Sequence, residues 1–408
     1  MIQEFKKLWK PCVIGLLWLL GLLWPALGIH KDGTIGFATT FIVWGYIAAG
    51  TLVCVMLYVL QKSGHLEVIG RPITRLRETV GQASGKVPIW AWLGGLLVFS
   101  LCYPVFTDRY AQDVATNVLI YVCLGLGLNI VVGLAGMLDL GYIAFYGVGA
   151  YTYALLNIHF GMSFWICLPI SAALAMLAGA LIGYPTLRMR GDYLAIVTLG
   201  FGEIVRIILN NWMSLTHGPN GLLGIKAPAV YIPHFGNGLS FEVFYFKKLQ
   251  YLYYIALALA IITIISVKHL NFSRIGRAWE SIREDETAAE LMGVNTFKLK
   301  LLSYAMGALF AGLAGAFFCA RMRFVSPESF TFLESAMVLS MVVLGGMASI
   351  PGVILGAAAL IVLPEVFRGF ETYRMLAFGA AMIVMMLFRP AGLIPAKRMG
   401  SRSEEREG

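Results

Sequence analysis

Leu140–Leu187 reads LGYIAFYGVGAYTYALLNIHFGMSFWICLPISAALAMLAGALIGYPTL, 48 residues without an Asp, Glu, Lys or Arg. A helix crosses the hydrocarbon core of a bilayer with about 20 apolar residues. The stretch is therefore long enough for two crossings. His159–Ser163, with Gly161 at its centre, supplies the turn between them. Two such helices in succession point to an all-α polytopic integral membrane protein.

Other runs of spanning length lie on both sides. Pro11–Ile29, Ile35–Leu60, Val87–Thr107 and Val114–Gly136 precede it, and Tyr193–Trp212, Leu249–Val267, Leu301–Ala320 and Met375–Phe388 follow. Ser335–Leu363 is cut by Gly345-Gly346 and Pro351-Gly352 and reads as two short or broken helices. The expected total is twelve membrane segments. Lys6, Lys7 and Lys10 precede the first, as in a signal peptide, but its apolar run is longer than a signal core, so it reads as a membrane helix.

Composition agrees. The 408 residues are 59% hydrophobic and 13% charged, with a mean hydropathy of +0.78. That excludes a disordered chain. The six cysteines sit singly in apolar runs, which excludes a disulfide scaffold and a metal knuckle. The net charge of +9 reads as loop charge on one side of a membrane, not as a nucleic-acid surface. With the N-terminus cytoplasmic, the cytoplasmic segments hold 21 Lys and Arg against 9 outside. Both termini are then cytoplasmic, with Arg321 and Arg323 on the wrong side. Residues 1–113 form an N-terminal region with three helices and a basic loop, 114–395 the core domain, and 396–408 a disordered tail.

Three places could carry function. Residues 268–300 hold a helix pattern capped by Ser273 and ended by Gly293. Ala278, Ile282, Ala289 and Met292 make an apolar stripe open to a partner, and Arg277, Arg283, Glu284, Asp285, Glu286 and Glu290 a polar rim. Gly125, Gly127, Gly133, Gly136, Gly141, Gly147 and Gly149 crowd one region, with Asp139 among them. Glycine breaks with a carboxylate near hydrocarbon depth suggest a translocation route or subunit interface, unless Asp139 lies in a surface turn. Glu203 and Arg206 lie three apart on one helix face and can pair. Gly307, Ala311 and Gly315, with Ala308, Gly312 and Ala316 beside them, permit close helix approach. The loop 213–248 opens on the turn-rich THGPNG and is rich in aromatics, as an interfacial loop, an outer gate or a docking surface would be. No P-loop, HExxH or Gly-x-Ser-x-Gly pattern occurs, so no catalytic or metal residues are assigned.

The blocks Gly125–Tyr151, Gly191–Arg206, Gly218–Gly224, Arg274–Val294, Gly345–Gly356 and Phe388–Leu393 together resemble the permease subunit of bacterial branched-chain amino acid ABC transporters, the larger of the two. The resemblance implies an importer of leucine, isoleucine and valine in the bacterial inner membrane. It also implies a smaller second permease, two cytoplasmic ATPases that hold ATP and Mg, and a periplasmic binding protein. The alternative is a permease for urea, an amide or a sugar. Ala288-Ala289-x3-Gly293 resembles the cytoplasmic-loop pattern of ABC importers, with Thr287 in the slot usually held by Glu and Glu286 one earlier. It assigns a coupling helix over 277–293, with Arg277, Ala278, Ile282, Arg283, Glu286, Ala288, Ala289 and Gly293. Gly136, Asp139, Gly141, Gly147, Glu203 and Arg206 are assigned to the route or permease interface. Gly136-Met137 and Gly346-Met347 can be set side by side as a weak internal repeat.

Overall fold

The computed structural model describes residues 89–366, apart from 188, 190, 237 and 247, together with 392–394. The spans expected over 11–60 and 375–388, the basic segment 61–86 and the tail lie outside the described residues. The chain divides into one unit up to Leu97 and a second from Val98, and the second carries the features below.

Among the described residues, ten longer helices and several short elements follow in order. α1 (Ile89–Phe106) runs through the unit boundary, and α2 (Arg109–Asn129) passes into a π turn, Ile130–Leu134. α3 (Ile143–Phe160) and α4 (Phe164–Thr186) are the two helices expected within 140–187, with the turn where Gly161 sits at φ +62°. α5 (Asp192–Asn211), the short α6 (Met213–Thr216), a 3-10 turn (Gly218–Asn220) and β1 (Leu222–Leu223) come next. A hairpin of β2 (Ala229–Gly236) and β3 (Gly238–Tyr245) leads to α7 (Leu249–Phe272). α8 (Arg274–Glu284), α9 (Glu286–Leu291), α10 (Thr296–Met322), β4 (Phe324–Val325) and a 3-10 turn (Pro327–Phe330) precede α11 (Phe332–Gly345) and α12 (Ile350–Val366). α2 with its π turn, α4, α5, α7 and α10 are long and apolar enough to cross a membrane. Sheet is confined to the hairpin and the β1–β4 pair among the described residues.

α10 is the axis of the unit, and its small residues explain why. Gly307 lies against Gly127 of α2, Gly315 against the Tyr146 and Ala150 backbone of α3, and Ala308 and Gly312 against Gly179 and Ala175 of α4. Lipid tails are as apolar as leucine, so close van der Waals approach holds such helices together. The two small ridges read from the sequence thus serve packing against three neighbours. Tyr142 donates to the Gly307 carbonyl (3.0 Å) and Tyr304 stacks edge-on with Phe145, which adds oriented contacts along the seam.

α2 begins at Arg109, earlier than the expected Val114, so Asp113 is a helix residue one turn before Asn117. Both face Arg321, whose Nη2 and Nη1 lie 2.6 Å from Asp113 Oδ1 and Asn117 Oδ1. The Arg321 side chain is 6% exposed. Its charge is neutralised inside the unit, so it is not a free loop charge of the kind the charge count assumes. The expected division after residue 113 falls inside α2. Next to this pair, Tyr121 donates to Glu334 Oε2 at the start of α11 (2.7 Å).

Two helices stop on left-handed residues within the bundle. Gly136 has φ +72°, and Met137 N–H closes back on the Val131 carbonyl at 3.0 Å, a C-terminal lock that only glycine enters cheaply. At the end of α11, Gly346 has φ +115° and Ala348 φ +65°. Segment 335–363 is therefore two short helices, as expected. Asn129 Oδ1 accepts from Ala348 N at 2.8 Å, which ties the second break to the last turn of α2. The Gly136-Met137 and Gly346-Met347 pair marks both breaks.

Candidate functional site

The end of the unit beyond α7 is built by Ser273. Its hydroxyl accepts from Gly276 N (3.1 Å), starting α8 as the sequence predicts. Gly276 sits against the Leu270 and Asn271 carbonyls, where a Cβ would clash. Ser273→Ala is expected to cost about 1 kcal/mol of local stability. Faster amide exchange across 274–284, with the spans unchanged, would show it. Unchanged exchange would remove Ser273 from the account.

The expected single helix over 277–293 is two helices. Asp285 breaks it, with φ −152°, and its carboxylate accepts from Thr287 N (2.8 Å) and Ala288 N (3.0 Å), so it is the N-cap of α9. A short polar side chain that bonds its own backbone competes with helix continuation. Gly293 is left-handed at φ +84°, as expected.

The stripe is a second correction. Ile282 and Ala289 are buried in the unit's own core, and Ala278 is half-buried. The reason is Trp279, fully buried, whose Nε1 donates to the Leu299 carbonyl at 2.7 Å. That anchor turns the apolar face of α8 inward onto the start of α10. Glu286 is likewise not free for a rim: it pairs with Lys300 of α10 (2.6 Å). Outward stand Arg277, Glu284, Thr287, Ala288, Glu290 and, at the tip, Leu291 and Met292, each 84% exposed. Of the stripe, Met292 alone stands outward, and Trp279 and Leu291 were missed as site residues. A lone tryptophan among charges, and two adjacent large apolar residues before Gly293, were the available signals.

Arg283 is exposed as well, but its guanidinium is bonded within the chain. Its Nη1 donates to the Gly133 carbonyl at 2.6 Å, in the π turn of α2. Beyond it lies the break 135–142. Asp139 is 1% exposed and is not in a surface turn. Its Oδ1 accepts from Gly141 N (2.9 Å), while Oδ2 has no hydrogen-bond partner among the described residues. The hydroxyls of Thr198 and Tyr304 face the carboxylate. Gly141 lies on the Thr198 carbonyl of α5, and Leu140 N donates to Thr198 Oγ1 (3.1 Å). Gly136, Asp139 and Gly141 thus share one break, whereas Gly147 lies elsewhere on α3, against the Phe330 ring.

On α5, Arg206 Nε and Glu203 Oε2 are 2.7 Å apart, the i,i+3 pair read from the sequence. Each side chain is one-third exposed, and Ile196, Ile204, Ile207 and Ile208 around them are exposed. α5 therefore offers an apolar face carrying an ion pair to whatever surrounds this unit. Among the described residues no group of His, Cys, Asp and Glu comes together that could hold a metal.

The sequence matches the family described as "Branched-chain amino acid transport system / permease component" over residues 110–387. It is 48% identical over 319 residues to the high-affinity branched-chain amino acid transport system permease protein LivM of Escherichia coli K12, covering 75% of each chain. Identity to the probable LivM of Methanocaldococcus jannaschii is 24% over 305 residues, 67% of this chain and 85% of that one. Identity to the E. coli K12 permease LivH is 23% over 286 residues, 67% of this chain and 91% of the relative. No solved structure matches.

Proposed function

The chain belongs to the permease component family of branched-chain amino acid transport systems, and from that premise we propose that it is the larger membrane subunit of an ATP-driven importer of leucine, isoleucine and valine. The observation that carries the substrate reading is 48% identity to LivM across three quarters of both chains. It is a multi-pass membrane protein, and we place it in the bacterial inner membrane with both termini cytoplasmic.

The α8–α9 hairpin supports a coupled mechanism. It is bound at one side to α7 through Ser273 and at the other to α10 through Trp279 and the Glu286–Lys300 pair. A displacement of its tip is passed to both helices. The exposed Leu291 and Met292 then seat in an apolar groove of an ATPase subunit, which holds ATP and Mg, while this chain performs no covalent chemistry. Arg277, Ala288 and Glu290 stand at the rim.

Its partner in the membrane is a smaller permease of the same family, and α5 faces it. A partly exposed ion pair is expensive against lipid. Packed against a second permease, Glu203 and Arg206 and the isoleucines beside them are covered. A periplasmic binding protein delivers the amino acid on the side of the β2–β3 hairpin, to a route between the two permeases. One methylene discriminates by only about 1–3 kcal/mol, so the closed site of the binding protein does the finer selection.

Reconstituted vesicles test the reading. Labelled leucine is expected to enter only with ATP, both permeases and the ATPases, and unlabelled isoleucine and valine to compete. Competition by urea or a sugar in place of these overturns the solute assignment. Uptake by this chain alone along a gradient overturns the importer.

A further inference from the structure

Arg283 is charged and belongs to the helix expected to meet an ATPase, yet its contacts lie inside its own chain. The guanidinium donates to Gly133 O at 2.6 Å, one of the terminal carbonyls that a helix end leaves without an intrahelical partner. Its aliphatic stem runs along Gly136: a Cβ there would sit 2.7 Å from Arg283 Cγ. Gly136 is the left-handed residue at which α2 stops. Gly133 in turn lies against Asn129 and the Ala348 amide, and Asn129 Oδ1 accepts from Ala348 N at 2.8 Å. Asn129 Nδ2 is buried without a partner among the described residues. One unbroken path of contacts therefore runs from α8 through the last turn of α2 to both helix breaks, 135–142 and 346–349.

We propose that Arg283 is a positioning residue that couples the α8–α9 hairpin to the two helix breaks, by holding the Gly133 carbonyl and the backbone of Gly136. This rests on the importer reading above. Arg283 lies in the last turn of α8, two residues before the Asp285 cap that begins α9. A rigid guanidinium on a carbonyl and a glycine without side chain at its stem make a tight joint, so tip motion reaches Asp139 and Ala348 through the backbone of α2 rather than through lipid-facing surfaces.

The test uses the assembled complex with the second permease and the ATPases. In Arg283→Ala, amide exchange over 135–142 is expected to rise about tenfold, the factor one charge-assisted hydrogen bond carries. Uptake is expected to fall about tenfold while the ATPases still co-purify and hydrolyse ATP. Arg283→Lys, whose ammonium can donate to Gly133 O, is expected to recover both protection and uptake. Unchanged exchange over 135–142 overturns the proposal. Loss of the ATPases with uptake also overturns it, since Arg283 would then be a docking contact. Should Arg283→Ala not reach the membrane, Gly136→Ala displaces the stem from the other side, and unchanged exchange there is equally fatal. A wild-type complex without ATP-driven uptake overturns the importer reading alone, and the exchange comparison still decides the role of Arg283.

Discussion

Leu291→Asp combined with Met292→Asp is expected to release the ATPase subunits and to abolish ATP-driven uptake, with the permease still in the membrane at its normal level. Both side chains are 84% exposed at the tip of the hairpin. Full burial of such a side chain is worth about 1.5–3 kcal/mol. Losing two from a groove weakens docking by roughly two to four orders of magnitude. Two carboxylates forced into an apolar groove add a desolvation cost. Neither residue contributes to the unit's own core, so abundance should hold. Co-purification in mild detergent and vesicle uptake read the two effects. A doubly substituted chain that retains its ATPase and transports normally would remove the tip from the coupling surface. Ala289→Trp is expected to behave differently. Ala289 is buried inside the unit, and overpacking costs about 1–3 kcal/mol. Its first effect falls on abundance.

The contrast between Ala289 and Leu291 shows where sequence reading reached and where it stopped. Periodicity located the helix, its cap at Ser273 and its end at Gly293, because these depend on neighbours in the chain. Which face of the helix looks inward depends on Trp279 meeting Leu299, twenty residues away, and no local pattern encodes that. Arg321 is a similar case. Charge counting placed it in a loop because its partner, Asp113, is 208 residues distant. The apolar helices, including the division at Gly161 and the two short helices over 332–366, were legible because each is a bounded apolar run in the sequence. The β2–β3 hairpin was not: its strands share an aromatic-rich composition with interfacial loops, and the pairing of Ala229 with Tyr245 is a register that composition does not fix. Of the candidate site, the Glu203–Arg206 pair was readable as an i,i+3 contact. The convergence of Gly136, Asp139 and Gly141 on one break was readable from their closeness in sequence. Their separation from Gly147 was not, because Phe330, which Gly147 meets, comes from a distant turn.

Asp139→Asn is expected to raise thermal stability while it lowers uptake. A buried carboxylate normally accepts several hydrogen bonds, and each unsatisfied buried polar atom in a native fold calls for an explanation. Here Oδ1 is held by Gly141 N and Oδ2 has no partner among the described residues. The Thr198 and Tyr304 hydroxyls face the carboxylate, so the cost that remains is that of burying its charge. The break therefore holds a buried carboxylate between the Gly141 backbone on Thr198 and the Arg283 stem on Gly136. If transport requires the break to rearrange, this cost favours leaving the observed arrangement. Asparagine keeps an acceptor for Gly141 and removes the buried charge, so the desolvation cost of the observed arrangement falls and the rearranged one is populated less. Uptake should then fall by about tenfold or more at unchanged membrane abundance. Asp139→Ala removes the Gly141 contact as well, so it should lose stability and uptake together. Melting temperature and uptake, measured side by side on both variants, separate a strained break from a structural cap. If asparagine lowers both in parallel, Asp139 is a structural cap and its buried charge does not bias the break toward rearrangement.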